Sequence, residues 1–310
     1  MKIAIVGAGL AGLTAATDLA AGGHEVALFD KARGPGGRMS TRRIETLQGT
    51  AYFDHGTQYF TVRDPGFVDQ VAAWEAAGVA ARWPAAGENA WVGTPGMNAI
   101  IKALAAPLDV TWQCRIAALE QTGDGWRLTH DGGNVEADAV VVAVPAEQVA
   151  DLMPAGAEAW GTLAKSTISA PCWTVMAAFD TPLARAGDVL RDAGPIGWAA
   201  RNSAKPGRTG PESWVIQGSP AWSAAHLEDD ADAVIAALLS AFARATGESL
   251  PEPLTAQAHR WRYALSGAAG KTALWDEMLK LGLCGDWLIG PRIESAWASG
   301  RALAAVIAER

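Results

Sequence analysis

Residues 2–30 read KIAIVGAGLAGLTAATDLAAGGHEVALFD, and the fold turns on how this stretch is punctuated. Lys2–Val6 is a short β-rich run that ends in glycine, and Glu25–Asp30 is a second such run. Between them Leu10, Leu13 and Ala16 or Thr17 recur on one helical face. Strand, turn, helix and strand follow in the order of a mononucleotide-binding unit. The turn carries Gly7, Gly9 and Gly12 in G-x-G-x-x-G order. Gly7 permits a tight turn, Gly9 lets the backbone approach a pyrophosphate, and Gly12 allows close packing of helix on strand. Gly7, Gly9, Ala11 and Gly12 are therefore candidate dinucleotide contacts, with backbone N–H groups at the helix start as the anion site. Asp30 ends the second strand eighteen residues beyond Gly12, where a carboxylate accepts from ribose hydroxyls. A bare acid there disfavours a 2′-phosphate, so FAD or NAD is expected over NADP.

The rest of the chain narrows the class. At 310 residues it is long for one core, which predicts two domains or one domain with a large insertion. A formal charge of -8 excludes the basic footprint of a nucleic-acid binder. Cys114, Cys172 and Cys284 lie far apart with no C-x-x-C pair, the pattern of buried thiols in a reducing cytoplasm rather than a disulfide or zinc framework. The apolar N-terminal run is broken by three glycines and Asp18, so neither a signal peptide nor a membrane span is expected. GAAGKT at 267–272 is a decoy, because Leu265 stands where a P-loop needs its first glycine. No second G-x-G-x-x-G follows, which argues against separate FAD and NAD(P)H domains.

A second glycine cluster, GPGGRMS at 34–40, comes directly after the second strand. One loop suffices for one pyrophosphate, so a second implies a longer ligand. The string FDKARGPGGRMST resembles the stretch found in the monoamine oxidase superfamily of FAD proteins. That resemblance implies that Asp30 and Lys31 meet the adenosine ribose and that Gly37, Arg38 and Met39 wrap the middle of an extended FAD. Gly36 and Gly37 would pass the cofactor without Cβ clashes, and Arg38 would offer a charged fork to the diphosphate or the flavin edge. FDHGTQYF at 53–60 is similar to the D-x-G-x-Q-Y stretch of renalase-like members, which implies that Gly56, Thr57 and Gln58 contact FAD and that Tyr59 faces substrate. His55, flanked by Asp54, is read as a structural hydrogen-bonding partner rather than a general base. Gln113–Pro145 reads as a β-meander closing on the buried run Val140–Val144, and its first strand would pass the adenine near Ile116.

At the C-terminus Leu283–Trp287 is expected as a last strand. Gly285 and Asp286 match the family's Gly-Asp pair at the ribityl and phosphate part of FAD. A helix starting near Arg292 and Ile293 would aim its positive end at the flavin's pyrimidine edge. Small residues Ala296, Ser299 and Gly300 would let that helix pack closely. IGWAARNSAKPGR at 196–208, SPAWSAAHLE at 219–228 and HRWRYAL at 259–265 resemble bacterial renalase-like proteins. Trp198, Asn202 and Trp261 join Tyr59 as expected substrate residues, since indoles stack on a flat heterocycle and an amide orients it. Arg201, Lys205 and Arg208 are either phosphate contacts or solvated loop charges.

The resemblance implies an α/β protein: a Rossmann-like FAD-binding domain of the monoamine oxidase / p-hydroxybenzoate hydroxylase type, from residues 1–60, 97–164 and 278–310, and an α+β substrate domain on a mixed sheet, from 61–96 and 165–277. It implies non-covalent FAD, no metal, and oxidation of misreduced dihydro-NAD(P) isomers to NAD(P)+ with molecular oxygen giving hydrogen peroxide. A flavin amine oxidase and a non-catalytic flavin-binding protein are the alternatives. No residue is singled out as an acid or base, and no Ser/His/Asp or Cys/His set is present.

Overall fold

A computed structural model describes residues 1–309. Lys2–Val6 lies inside a six-stranded sheet, flanked by Ala139–Val142 and Glu25–Asp30. Asp109–Trp112 closes one edge, while Leu281–Leu283 and then Leu274–Asp276 extend the other. Pairing is parallel apart from the Leu274–Asp276 edge, which makes the sheet mixed. The central strand is apolar at every position from Ile3 to Val6 because both its faces are covered. Ile3 and Ile5 enter one core with Leu13, Ala16 and Leu303, and Ala4 and Val6 enter a second with Val140, Val142 and Leu128.

The helix Leu10–Ala21 buries Leu10, Leu13, Ala16 and Leu19 against the sheet. Thr17 points to solvent, which resolves the sequence alternative in favour of Ala16. The C-terminal helix Ile293–Ala308 lies across it so closely that a Cβ on Gly300 would stand 2.4 Å from the Ala11 carbonyl oxygen. The small residues at 296, 299 and 300 thus do the packing expected of them. The meander Ile116–Gln121, Trp126–His130, Gly133–Ala137 forms its own antiparallel sheet.

The second layer is a five-stranded sheet in the order Val189–Ala193, Ile196–Arg201, Glu212–Gly218, Ala170–Phe179, Thr255–Leu265, antiparallel throughout. One face is covered by the helix Ala231–Thr246, which Asp230 caps through the Ala233 N–H at 2.9 Å. Val234, Leu238, Ala241 and Phe242 form its buried stripe. On the opposite face Met176, Ala178 and Val215 pack on Ala51 and Phe53 of the hairpin Thr41–Thr46/Gly49–Asp54.

Two expected strands come out shorter. The C-terminal strand is Leu281–Leu283, and Asp286–Ile289 is a helical turn. Gly285 makes the corner, where a Cβ would meet the Trp287 ring at 2.7 Å. The return strand stops at Val142, because the Ala143 carbonyl must face the glycine loop, 2.6 Å from where a Gly7 Cβ would stand. No helix among the described residues is long and apolar enough to cross a membrane.

Candidate cofactor and substrate site

At the first loop, Gly7 adopts φ +106 and donates to the Phe29 carbonyl at 2.8 Å, and a Cβ on Gly12 would stand 2.1 Å from the Gly7 oxygen. Only glycine fits either position. Gly9 begins the helix Leu10–Ala21 with no side-chain cap, no acid in the first turn and open space beside its Cα. The uncapped N–H groups and the positive helix end are left for an anion from outside the chain. The Asp30 carboxylate accepts from Ala8 N–H and Ala32 N–H, each at 2.8 Å, which fixes it at the loop. Lys31 turns away, donating to Gln148 Oε1 at 2.5 Å. Ile116 and Met39 are both buried, Met39 in the main core, so its side chain packs rather than reaching a ligand.

The second loop joins the C-terminus. Arg38 forks onto Asp286, Nη1 to Oδ2 at 2.8 Å and Nη2 to Oδ1 at 2.5 Å, and Ser266 Oγ donates to Oδ2 at 2.9 Å. The sequence reading gave these two residues separate cofactor contacts; tertiary structure gives the guanidinium fork to the carboxylate. Gly37 takes φ +52, and Arg38's carbonyl accepts from Thr57 N–H at 2.8 Å. A Cβ on Gly56 would stand 2.1 Å from that same carbonyl, so the two family-like loops run against each other. Arg292 precedes Ile293 at the start of the C-terminal helix, where the Ser295 hydroxyl is buried without a partner among the described residues. Glu294 of this turn is occupied, accepting from Arg63 N–H and Asp64 N–H at 2.7 Å.

Three expectations need correcting. Asn202 is fully buried: Nδ2 donates to the Tyr52 carbonyl at 2.8 Å and Oδ1 accepts from Asp54 N–H at 3.3 Å, so it fastens chain segments and does not line a substrate pocket. Lys205 and Arg208 are neither solvated nor phosphate contacts. Both converge on buried Asp54, at 3.2 and 2.5 Å. Arg201 is held by Glu212 at 2.7 Å and Asp188 at 3.0 Å. Pro206 and Gly207 suggested an exposed loop, but that loop folds inward because Asp54 needs counter-charges. Burial alone would raise Asp54's pKa; Lys205, Arg208 and the Met97 and Thr41 donors overcome it and hold the acid at about 2. Burial depresses Lys205 to about 8 against the pull of Asp54.

Asp54 thereby braces the loop that follows it. Lys205 Nζ donates to Gln58 Oε1 at 3.2 Å, which turns the Gln58 amide nitrogen toward the Asp54 and Gly56 carbonyls. Gln217 Nε2 also donates to Gly56 O, at 2.9 Å. Gln58 is therefore a support of this loop, with its amide spent inside the protein. Thr57 is half-buried on the same loop.

Across from the loop, cross-strand pairing places Trp198, Gln217, Thr174 and His259 in one row on the five-stranded sheet. At one end Tyr59 and Trp198 meet with ring centroids 4.9 Å apart. The sequence reading missed what covers them. Arg191 sits 4.7 Å from the Trp198 ring and 5.9 Å from Tyr59, and its guanidinium bonds among the described residues only to the Ala86 carbonyl. At the other end Trp261 stacks on His55 at 5.2 Å, donates to the His55 carbonyl at 2.8 Å and meets His259 edge-on at 4.5 Å. Burial, then Arg42, pushes His259 down to about 4; the same two causes, with His259 added, push His55 to about 3. Both are neutral near pH 7. The i, i+2 spacing of His259 and Trp261 in a strand could have shown that they share a face. Arg191, in the unmarked run VLRDA, carried no such signal.

The fold is of the dinucleotide-binding kind, with the five-stranded sheet lying against the loop 54–58. The Flavin containing amine oxidoreductase family model matches residues 84–308, and an NAD(P)-binding Rossmann-like domain model matches residues 5–71. The chain belongs to the flavin-containing amine oxidoreductase family, which implies a flavin cofactor. Among solved structures it is similar to a cyclohexylamine oxidase from Brevibacterium oxydans, with a TM-score of 0.74 and 14% identity over 99% of this chain and 98% of that one. A putrescine oxidase redesigned for cofactor binding gives 0.76 and 15%, over 100% and 99%. At such identities the likeness is one of fold. A 4,4'-diapophytoene desaturase of Staphylococcus aureus is 55% identical over 40 residues, 13% of this chain and 8% of the desaturase.

Proposed function

We propose that the protein is a renalase-like FAD oxidase that converts misreduced dihydro-NAD(P) isomers to NAD(P)+ while molecular oxygen is reduced to hydrogen peroxide. The observation that carries this reading is the guanidinium of Arg191 over the Tyr59–Trp198 pair. An amine substrate would bring a cation to an aromatic pair. Here the chain's own cation already fills that position, so an ammonium meets repulsion while a phosphate-bearing nucleotide meets attraction. Asp54, the acid beside the loop, is fully engaged by Lys205 and Arg208 and has no charge to spare for an amine.

Bound FAD would supply the hydride-accepting chemistry, with molecular oxygen as the final electron acceptor. Gly7, Gly9, Ala11 and Gly12 would hold its diphosphate at the uncapped helix start, Asp30 its ribose, and Gly37, Gly56, Thr57, Gly285, Arg292 and Ile293 the remainder, with the Arg38–Asp286 pair fastening the segments that carry them. The residues present fit: a glycine cradle open at Gly9 and Gly37, and an orphaned Ser295 hydroxyl at the second helix start. Attachment is non-covalent in this reading, supported by Cys284, which is fully buried and pushed up to about 12 by that burial. Neutral His55 and His259 keep the roof free of acids, and Trp261 and Trp198 supply flat apolar faces. Hydride transfer asks for such positioning more than for proton relay. Buried cysteines fit the cytoplasmic setting we assign.

The test is the visible spectrum of the purified protein under anaerobic conditions. A chemically reduced, mixed-isomer NADH preparation should bleach the flavin band within seconds, whereas enzymatically made NADH and putrescine should not. Bleaching by the amine alone would transfer the chain to the amine-oxidase reading; a flavin reduced by none of the donors would mark a non-catalytic binder.

A further inference from the structure

We infer that Arg42, backed by Arg33, is the subsite that takes the diphosphate of the substrate dinucleotide; this rests on the dihydro-NAD(P) reading of the same site. Arg42 lies on the hairpin strand Thr41–Thr46, paired with Phe53, and so points the same way as Phe53, toward the five-stranded sheet. There its Nη2 comes within 3.4 Å of His259 Nδ1, the one polar contact of its side chain among the described residues. It is half-buried and has no carboxylate partner among the described residues. Burial, then the charge of exposed Arg33, lowers the Arg42 pKa.

A half-buried guanidinium with no acid of its own is left to an anion from outside the protein. Asp54, next in the chain to Arg42's cross-strand partner Phe53, is already paired with Lys205 and Arg208. The two neighbouring imidazoles are neutral and contribute no charge. Arginine's planar fork matches phosphate oxygens bidentately. Trp261 and His55, stacked beside Arg42's contact residue His259, give an adjoining flat surface. A diphosphate ester is thus the ligand chemistry, and it has two sources, the substrate or FAD itself. Our assignment is to the substrate, since the anion sites expected for FAD are the Gly9 helix start and the Gly37–Arg38 loop.

The experiment is titration calorimetry of the flavin-loaded protein with ADP-ribose, which carries the diphosphate but no nicotinamide and therefore cannot turn over. Arg42→Met should weaken ADP-ribose binding about 10- to 100-fold, the loss expected for charge-assisted hydrogen bonds. Arg42→Lys should recover part of it, Arg33→Met should cost less than Arg42→Met, and the flavin-to-protein absorbance ratio should stay at the wild-type value. Unchanged affinity in Arg42→Met, or no ADP-ribose binding by the wild type, overturns the subsite. So does loss of flavin from Arg42→Met with unaltered affinity in the loaded fraction, because the diphosphate would then be FAD's own. A wild type that binds ADP-ribose through Arg42 yet is not bleached by the isomer mixture leaves the subsite standing and removes the proposed reaction.

Discussion

Asp54 and Asp286 each hold an arginine, and the contrast between them separates the scaffold from the site. Asp54 is fully buried beside two buried cations, Lys205 and Arg208, so one negative and two positive charges share a dry interior. Asp286 faces one guanidinium, and Arg38's side chain keeps 32% of its exposure. Charges out of water are costly unless fully paired, and breaking such a set leaves the remainder uncompensated. Asp286 is itself buried, at 7%, but its one cationic partner opens to solvent, which screens the pair on that side. The Asp54 cluster therefore braces the loop 54–58 and the inward-folded loop 202–208. The Asp286 pair ties the second glycine loop to the C-terminal segment at the place where a ligand is expected.

The largest effect should come from Asp54→Ala, which strands Lys205 and Arg208 and should cost about 3–5 kcal/mol in urea unfolding. Gly56→Ala comes next. Its Cβ would stand 2.1 Å from a backbone oxygen of Arg38, so the two loops must separate. About 1–3 kcal/mol should be lost, together with flavin from the purified protein. A variant that kept both its flavin and its stability would show that the contact between the loops is not needed.

Acid pH tests the contrast more gently. An unfolded imidazole takes its proton near the ordinary 6.5, while His55 and His259 in the fold take theirs only at about 3 and about 4. Between these values the unfolded state binds more protons, so melting temperature should fall as pH drops below 6.5. Asp54, held at about 2 against an ordinary 3.8, contributes stability that is present above 3.8 and lost as pH falls toward 2. A scan of melting temperature against pH should show both limbs, and the double variant His55→Gln/His259→Gln should keep only the lower one. Asp286→Asn should have the smallest effect on stability, about 1 kcal/mol, with a clear drop in bound flavin. Should it match Asp54→Ala in urea, the two carboxylates do the same job and the contrast fails.

How much of this was readable in the chain follows from the range of the interactions. The glycine loop was legible because each glycine answers a local demand: a positive φ at Gly7, a carbonyl in the way at Gly12, an open approach at Gly9. Asp30 was legible because it ends a strand of known period. The C-terminal helix could be placed because Gly300 and its small neighbours mark a close crossing. Asn202, Lys205 and Arg208 were misread for one common reason. Each was judged by its near neighbours, Asn202 as an amide beside Trp198 and the two cations as loop charges beside Pro206 and Gly207, but their partners lie about 150 residues earlier, at Tyr52 and Asp54.

By itself, then, the sequence determined the nucleotide-binding unit, the second glycine loop, the start of the last helix and the aromatic residues Tyr59 and Trp198, since backbone sterics and strand or helix period are properties of neighbouring residues. Tertiary structure alone decided that Arg38 would face Asp286, that Lys205 and Arg208 would be drawn inside by Asp54, and that Arg191 and Arg42 would have no acid partner among the described residues. Charge pairing is settled by which groups share a low-dielectric interior, and that depends on how distant segments pack.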